Sequence, residues 1–179
     1  MTAAKTKSVN MKFSALYSYI LNTNYRSFTG VMGILISIMS IVILIAGWSN
    51  LGTGQRALFI ILAMGFTVIN PLMLAFKAFQ QLKLSPSYKK PLDYTFSDDG
   101  ITVAQGELHQ DIEWKNICRI MMTGHMIAIY TGRYNAFVIP LSELGNDKGK
   151  IIASVVQFTM EYRPRLSGNL KRYQSGKGL

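Results

Sequence analysis

Gly30 to Trp48 reads GVMGILISIMSIVILIAGW, and Ala57 to Phe76 reads ALFIILAMGFTVINPLMLAF. Neither run carries a charge. Ser37 and Ser40 are the polar side chains of the first, Thr67 and Asn70 those of the second. At a rise of about 1.5 Å per residue each run reaches roughly 30 Å, the hydrocarbon thickness of a bilayer. A core helix of a soluble protein rarely needs an apolar surface all round. A cleaved signal peptide fits badly, because the first run begins after a long polar segment and is longer than an h-region. Two transmembrane helices are therefore expected, over 30–48 and 57–76. The eight-residue link between them, 49–56 (SNLGTGQR), can only turn the chain back, which makes the helices antiparallel neighbours.

Details inside the runs suggest how the hairpin packs. Gly33 and Ser37 form a small-xxx-small pair that lets two backbones approach. Asn70 is the one amide in either run, and Pro71 after it should loosen the helical ladder. An intramembrane amide marks a ligand or ion site by default. Here an interhelical hydrogen bond is preferred, because Ser37 and Asn70 lie at similar depth when counted from the run ends. Such a bond contributes on the order of 1 kcal/mol.

Charge sorts along the chain. The 179 residues hold 19 Lys and Arg against 9 Asp and Glu, for a net charge of +10. Residues 1–29 contribute Lys5, Lys7, Lys12 and Arg26, and residues 77–91 contribute Lys77, Lys83, Lys89 and Lys90, with no acid in either segment. The link holds only Arg56. This obeys the positive-inside pattern and puts both termini in the cytoplasm. Residues 92–149 are net acidic, so the folded part lacks the basic stripe of a nucleic-acid binder, and nucleic acid is not expected as a partner.

Residues 77–163 read as a small α+β domain. Leu92, Tyr94 and Phe96 alternate, Ser97-Asp98-Asp99-Gly100 turns the chain, and Ile101 and Val103 alternate again. Leu108, Gln110, Ile112 and Trp114 share one face of a third strand. Further strands are expected over Ile117 to Thr123, Met126 to Thr131 and Tyr134 to Ile139, the last ended by Pro140, in one antiparallel meander. A helix capped by Asn146 or Asp147 follows, with Ile151, Val155, Phe158 and Tyr162 on one stripe, and Pro164 stops it. Before the first run, Lys12 to Ile20 (KFSALYSYI) reads as an added strand and Asn22 to Phe28 as a short interfacial turn. Residues 164–179 read as a basic flexible tail with some affinity for anionic lipid.

The inventory of chemistry is thin. One Cys and two His leave little for a metal. Cys118 reads as a buried inert thiol, His109 and His125 as turn or surface residues, and Asp98-Asp99 as a solvated turn rather than a calcium loop. Gly30 and Gly33 open an apolar run and make no phosphate loop. Trp114 is read as a core anchor. No catalytic, cofactor-binding or metal residue is assigned, and no cofactor is expected.

The segments LDYTFSDDGI, IEWKNICRI and HMIAIYTGRYNAFVIPLSEL after a two-helix hairpin resemble the YcxB-like family of bacterial membrane proteins. The resemblance runs from about Met11 to Tyr162. Phe96 to Ile101, Glu113-Trp114 with Ile117, and Ile139-Pro140 carry it. The chain departs from the pattern at Asn22-Thr23-Asn24-Tyr25, which lacks an acidic residue before the tyrosine. The resemblance implies a pleckstrin-homology-like (PH-like) domain attached to two spans, a bent antiparallel sheet capped by one C-terminal helix, with Trp114, Ile117, Ile139 and Pro140 in its core. It implies no catalytic residues. The expected role is a non-enzymatic binding or adaptor protein of the bacterial inner membrane, whose partners are the lipid bilayer and a protein at the cytoplasmic face. The alternative is an accessory subunit of a membrane complex or transporter, meeting its partner through the helix pair.

Overall fold

The computed structural model describes residues 4–132, 135–145, 148–162 and 164–170. It divides into two compact units, Ile20–Gln80 and the combination of Met1–Tyr19 with Gln81–Leu179. Two helices contribute residues to both: α1 (Phe13–Tyr25) and α4 (Asn70–Leu84).

The Ile20–Gln80 unit is helical. Ser27 caps α2 (Phe28–Gly47) by accepting a hydrogen bond from Gly30 N–H. The chain turns at Gly52, whose N–H donates to Gln55 Oε1 at 3.0 Å, and enters α3 (Thr53–Met64). A π-helical turn, Gly65–Ile69, joins α3 to α4. Thr53 to Leu84 is thus one helical path of 32 residues, and it and α2 are each long and apolar enough to cross a membrane. The path outruns the apolar stretch at both ends, because Gln80, Gln81 and Lys83 favour helix even where they end a hydrophobic run.

The π turn has a local cause. Pro71 has no N–H and its ring crowds the carbonyl four residues back. One turn earlier the ladder widens, so that Asn70 N–H donates to Gly65 rather than Phe66. The Phe66 carbonyl loses its helical donor and accepts instead from the Tyr25 hydroxyl at 2.6 Å. Asn70 Nδ2 donates to Asn24 Oδ1 at 3.1 Å. The end of α1 therefore closes the opening that Pro71 makes in the next helical path. The Ser37–Asn70 bond expected from the sequence is not formed. Ser37 Oγ donates to the Leu62 carbonyl at 3.1 Å, and a side chain at Gly33 would overlap the Phe66 ring. That register sets Asn70 level with the start of α2. Counting depth from the ends of the apolar runs fails because the helices do not begin where the runs do.

The second unit holds two four-stranded sheets. In the first, β1 (Ala4–Val9), β2 (Leu92–Phe96), β3 (Gly100–Gln105) and β4 (Leu108–Glu113) are antiparallel in that order. In the second the order is β7 (Ala136–Pro140), β6 (Met126–Tyr130), β5 (Arg119–Met122), β8 (Arg165–Gly168), with β8 parallel to β5 and the rest antiparallel. This is an α+β arrangement. The single meander expected from the sequence is broken by a 3-10 turn at Trp114–Asn116. Trp114 leaves the strand line, is 1% exposed, and donates from its indole N–H to the Ser97 carbonyl at 2.9 Å. Leu108 and Gln110, expected to share its buried face, are exposed on β4.

Helix α5 (Lys148–Tyr162) sets Ile151, Ile152 and Val155 into a core with Phe96, Trp114, Ile117 and Ile139. Tyr162 is exposed, while the Phe158 side chain and the Asn146 and Asp147 caps lie outside the described residues. Lys12 to Ile20 is not a strand. Its apolar residues fall at helical spacing, and Ala15 and Tyr19 of α1 pack with Met121, Met126, Ala128 and Tyr130 on the other face of the second sheet. Helices on both faces explain why all five residues of β6 are buried. The strand ahead of α1 is β1, whose partner is β2. Residues 165–168 are not a loose tail. They pair with β5, Asn169 N–H donates to the Met122 carbonyl at 2.9 Å, and Leu170 is 0% exposed. The domain extends at least to Leu170, and residues 171–179 lie outside the described residues.

Gly100 opens β3 where a side chain would collide with the Ile112 carbonyl across the sheet. Gly100→Ala should destabilise the chain by about 1–3 kcal/mol, as overpacking does elsewhere, read from the shift in its denaturation midpoint. Tyr25→Phe should lose about 1–2 kcal/mol by leaving the Phe66 carbonyl without its donor, read as a lower melting temperature of the purified chain.

Candidate functional site

The residues singled out in the sequence do not meet. Trp114, Ile117, Ile139 and Pro140 are buried in the sheet unit, whereas Gly33, Ser37, Asn70 and Pro71 belong to the helical unit. Among the described residues no group of His, Cys, Asp and Glu is placed to hold a metal. Asp98 and Asp99 are exposed in the β2–β3 turn, and His109 and His125 are at the surface. Cys118 is exposed rather than buried, which corrects the sequence reading. It sits just outside β5, and strand alternation fails there because the 3-10 turn at Trp114–Asn116 resets the facing.

Among the described residues, the sheet unit holds a hollow of about 450 Å³. Its apolar wall is made by Leu92 and Tyr94 of β2, Val103 of β3 and Phe137 of β7. Its rim carries Tyr88, Gln105 and the β4 segment Leu108–Gln110. Gln105 fixes one side of the mouth. Its Nε2 donates to the carbonyls of Ser87 and Lys90, both at 3.0 Å, and so fastens the turn after α4 to the end of β3. The opposite side is pinned beside Met11. Lys12 Nζ lies 3.0 Å from Glu143 Oε1, and Asn10 N–H donates to the same carboxylate.

The electrostatics of the hollow are those of an apolar site. Burial pushes the Tyr94 hydroxyl far above the usual phenol range, with Tyr88 adding to the effect. Burial also raises Tyr88, against the hydrogen bond from Gln81. Both phenols stay neutral at physiological pH and can serve as hydrogen-bonding groups, not as bases. The hydrogen bond from Lys12, with that from Asn10, holds Glu143 below the usual carboxylate range. Volume and lining suit a ligand that is mostly apolar and is oriented by a few polar groups. The sequence offers no sign of this site, because its walls come from residues 11, 87–94, 103–110 and 136–138 and no spacing links them.

With that geometry in view, the comparison with known families is specific to the sheet unit. Residues 96–152 match the model of the YcxB-like protein family. Neither a curated protein nor a solved structure matches the chain. The YcxB-like match runs from the end of β2 to the first turn of α5. It includes Trp114, Ile117, Ile139 and Pro140, the residues on which the resemblance was drawn. It also includes the β4 rim and the β3 and β7 walls of the hollow. It is narrower than the span of the resemblance from Met11 to Tyr162.

The Lys12–Glu143 pair gives a pH signature. A lowered folded-state value means that the carboxylate contributes stability above its unfolded value of about 4.3, and the contribution is lost as pH falls through the lowered value. Glu143→Gln should cost about 0.2–1 kcal/mol near pH 7 and nothing in strong acid, where both chains carry a neutral side chain. Denaturation midpoints of the two chains across that range check it.

Proposed function

We propose that this chain is a membrane-anchored, non-enzymatic adaptor that displays a PH-like domain at the cytoplasmic face of the bacterial inner membrane. The pattern of burial along α2 carries the reading. Its buried residues are Gly30, Gly33, Ser37 and Ser40, whereas Leu35, Ile36, Met39, Val42 and Ile45 face outward. Water favours the reverse arrangement, and a hydrocarbon solvent favours this one. The helical path after it is as open, with Leu58, Ile61, Leu72, Met73 and Phe76 exposed. Arg56, the lone charge of the link, lies over the Trp48 ring at 4.8 Å, as an interfacial pair would. Lysines and Arg26 outside the apolar runs supply the cytoplasmic bias.

The two sheets with α5 packed into their core support the PH-like description, and residues 96–152, which match the YcxB-like family, lie within that domain. A hollow with neutral phenols and an apolar wall suits recognition better than proton transfer. Assembly into a larger membrane complex would have to use the outward faces of the helices, because Gly33, Ser37 and Asn70 already engage Phe66, Leu62 and Asn24.

Cys118, exposed and the one cysteine of the sequence, reports on sidedness without engineering. The chain should stay with carbonate-washed vesicles. An impermeant maleimide should label Cys118 in inverted vesicles and leave it untouched in intact spheroplasts. Recovery in the carbonate supernatant would remove the anchor, and labelling in spheroplasts would reverse the orientation.

A further inference from the structure

We propose that the hollow between β4 and β7 is a strand-addition site, which takes an extended, apolar-alternating peptide segment with an acidic end from a partner protein. The proposal rests on the adaptor reading above and names the site and the class of partner. It begins with the hydrogen-bond parity of β7. Leu141 N–H donates to the His125 carbonyl at 2.9 Å, and Thr131 N–H donates to Asn135 at 3.2 Å. In an antiparallel ladder the bonded positions recur every second residue. With Ala136 opposite Tyr130 and Val138 opposite Ala128, the main-chain groups of Phe137 and Ile139 turn towards β6. Those of Ala136 and Val138 turn to the outer edge. Among the described residues no strand pairs with that edge. Ala136 and Val138 both line the hollow.

The facing wall has the same character. Trp114 N–H donates to the Asp99 carbonyl, which fixes the parity of β4 and turns the main chain of His109 outward, also at the hollow. Two strand edges therefore present donors and acceptors at strand spacing on either side of an apolar space. A segment laid along β7 satisfies those groups and drops every second side chain towards Tyr94, Val103 and Phe137. Leu108 at the mouth is 75% exposed, an aliphatic side chain in place to cover such a segment. An acyl chain would fill the volume and leave the main-chain groups of Ala136 and Val138 as they are. The other edge of the same sheet supports the peptide. There the chain adds its own segment, β8, to β5 and seats Leu170 in the core.

Charge selects the end of the segment. Lys89 and Lys90 are exposed on the turn that Gln105 holds against the rim, and among the described residues neither is in an ion pair. Asp93, the nearest acid in sequence, alternates away from Leu92 and Tyr94 and accepts from Ser8 N–H, and Glu107 stands in the β3–β4 turn, so the two lysines are left to complement an acidic residue.

The test uses the full chain in lipid nanodiscs and a pool of fluorescent peptides of about eight residues, with Val, Ile or Phe alternating with Thr and an Asp at one end. Binding should be saturable, should weaken with salt, and should slow hydrogen exchange at the Ala136 and Val138 amides. Ala136→Pro removes one outward donor and should weaken binding about tenfold. Leu108→Lys, at an exposed position that folding does not need, should weaken it as well. A pool N-methylated at alternate residues should not bind. No binding by any member, or binding indifferent to both substitutions, overturns the proposal. So does uptake of dansyl-labelled dodecanoate that blocks the peptides without protecting the two amides, since it assigns the hollow to an acyl chain. In each of these cases a chain that stays in carbonate-washed vesicles leaves the adaptor reading in place, whereas loss of the anchor removes the reading itself.

Discussion

The hydrogen bond from the Trp114 indole to the Ser97 carbonyl shapes the sheet unit. It ties the end of β4 to the β2–β3 turn and directs the chain out of one sheet and into the other. Burial of an indole of roughly 200 Å² at about 25 cal/mol per Å² contributes on the order of 5 kcal/mol. That is a large share of the stability of a small domain. A chain continuing straight through this position would extend one sheet. The corner is what allows two sheets to face each other, and a hollow to remain where β4 and β7 do not meet.

The helical unit depends on a different balance. Pro71 takes a donor out of the helical ladder, and a carbonyl left without a partner is costly away from water. The repair has two parts, a π turn that re-routes the Asn70 amide and a hydroxyl from Tyr25 that takes the Phe66 carbonyl. Close approach of α2 depends in turn on the missing side chain at Gly33, which receives the Phe66 ring. One aromatic residue thus supplies the carbonyl that binds α1 and the ring that packs α2.

Some of this could be read from residues alone, for physical reasons. Uncharged runs of about 20 residues have few alternatives as structure. Alternation between Leu92 and Val103 marks strands that are buried on one face. The failures occur where tertiary contacts override local preference. Lys12 to Ile20 has strand-forming residues, but Ala15 and Tyr19 are needed at helical spacing to cover Met121 and Tyr130. Arg165 to Gly168 looks like a linker, with only Leu166 and Leu170 to signal otherwise. Asn70 was legible as an engaged amide, but its partner Asn24 lies outside both apolar runs. The hollow was invisible, because it exists only once distant segments converge.

Pro140 closes β7 at an outward-facing position, by the same parity that exposes Ala136 and Val138. With no N–H, it cannot continue a ladder beyond that point. Open strand edges invite copies of a protein to stack side by side. A proline here shortens the stretch of edge that a neighbouring copy could pair with. The same residue that ends a strand therefore limits the edge open to stacking.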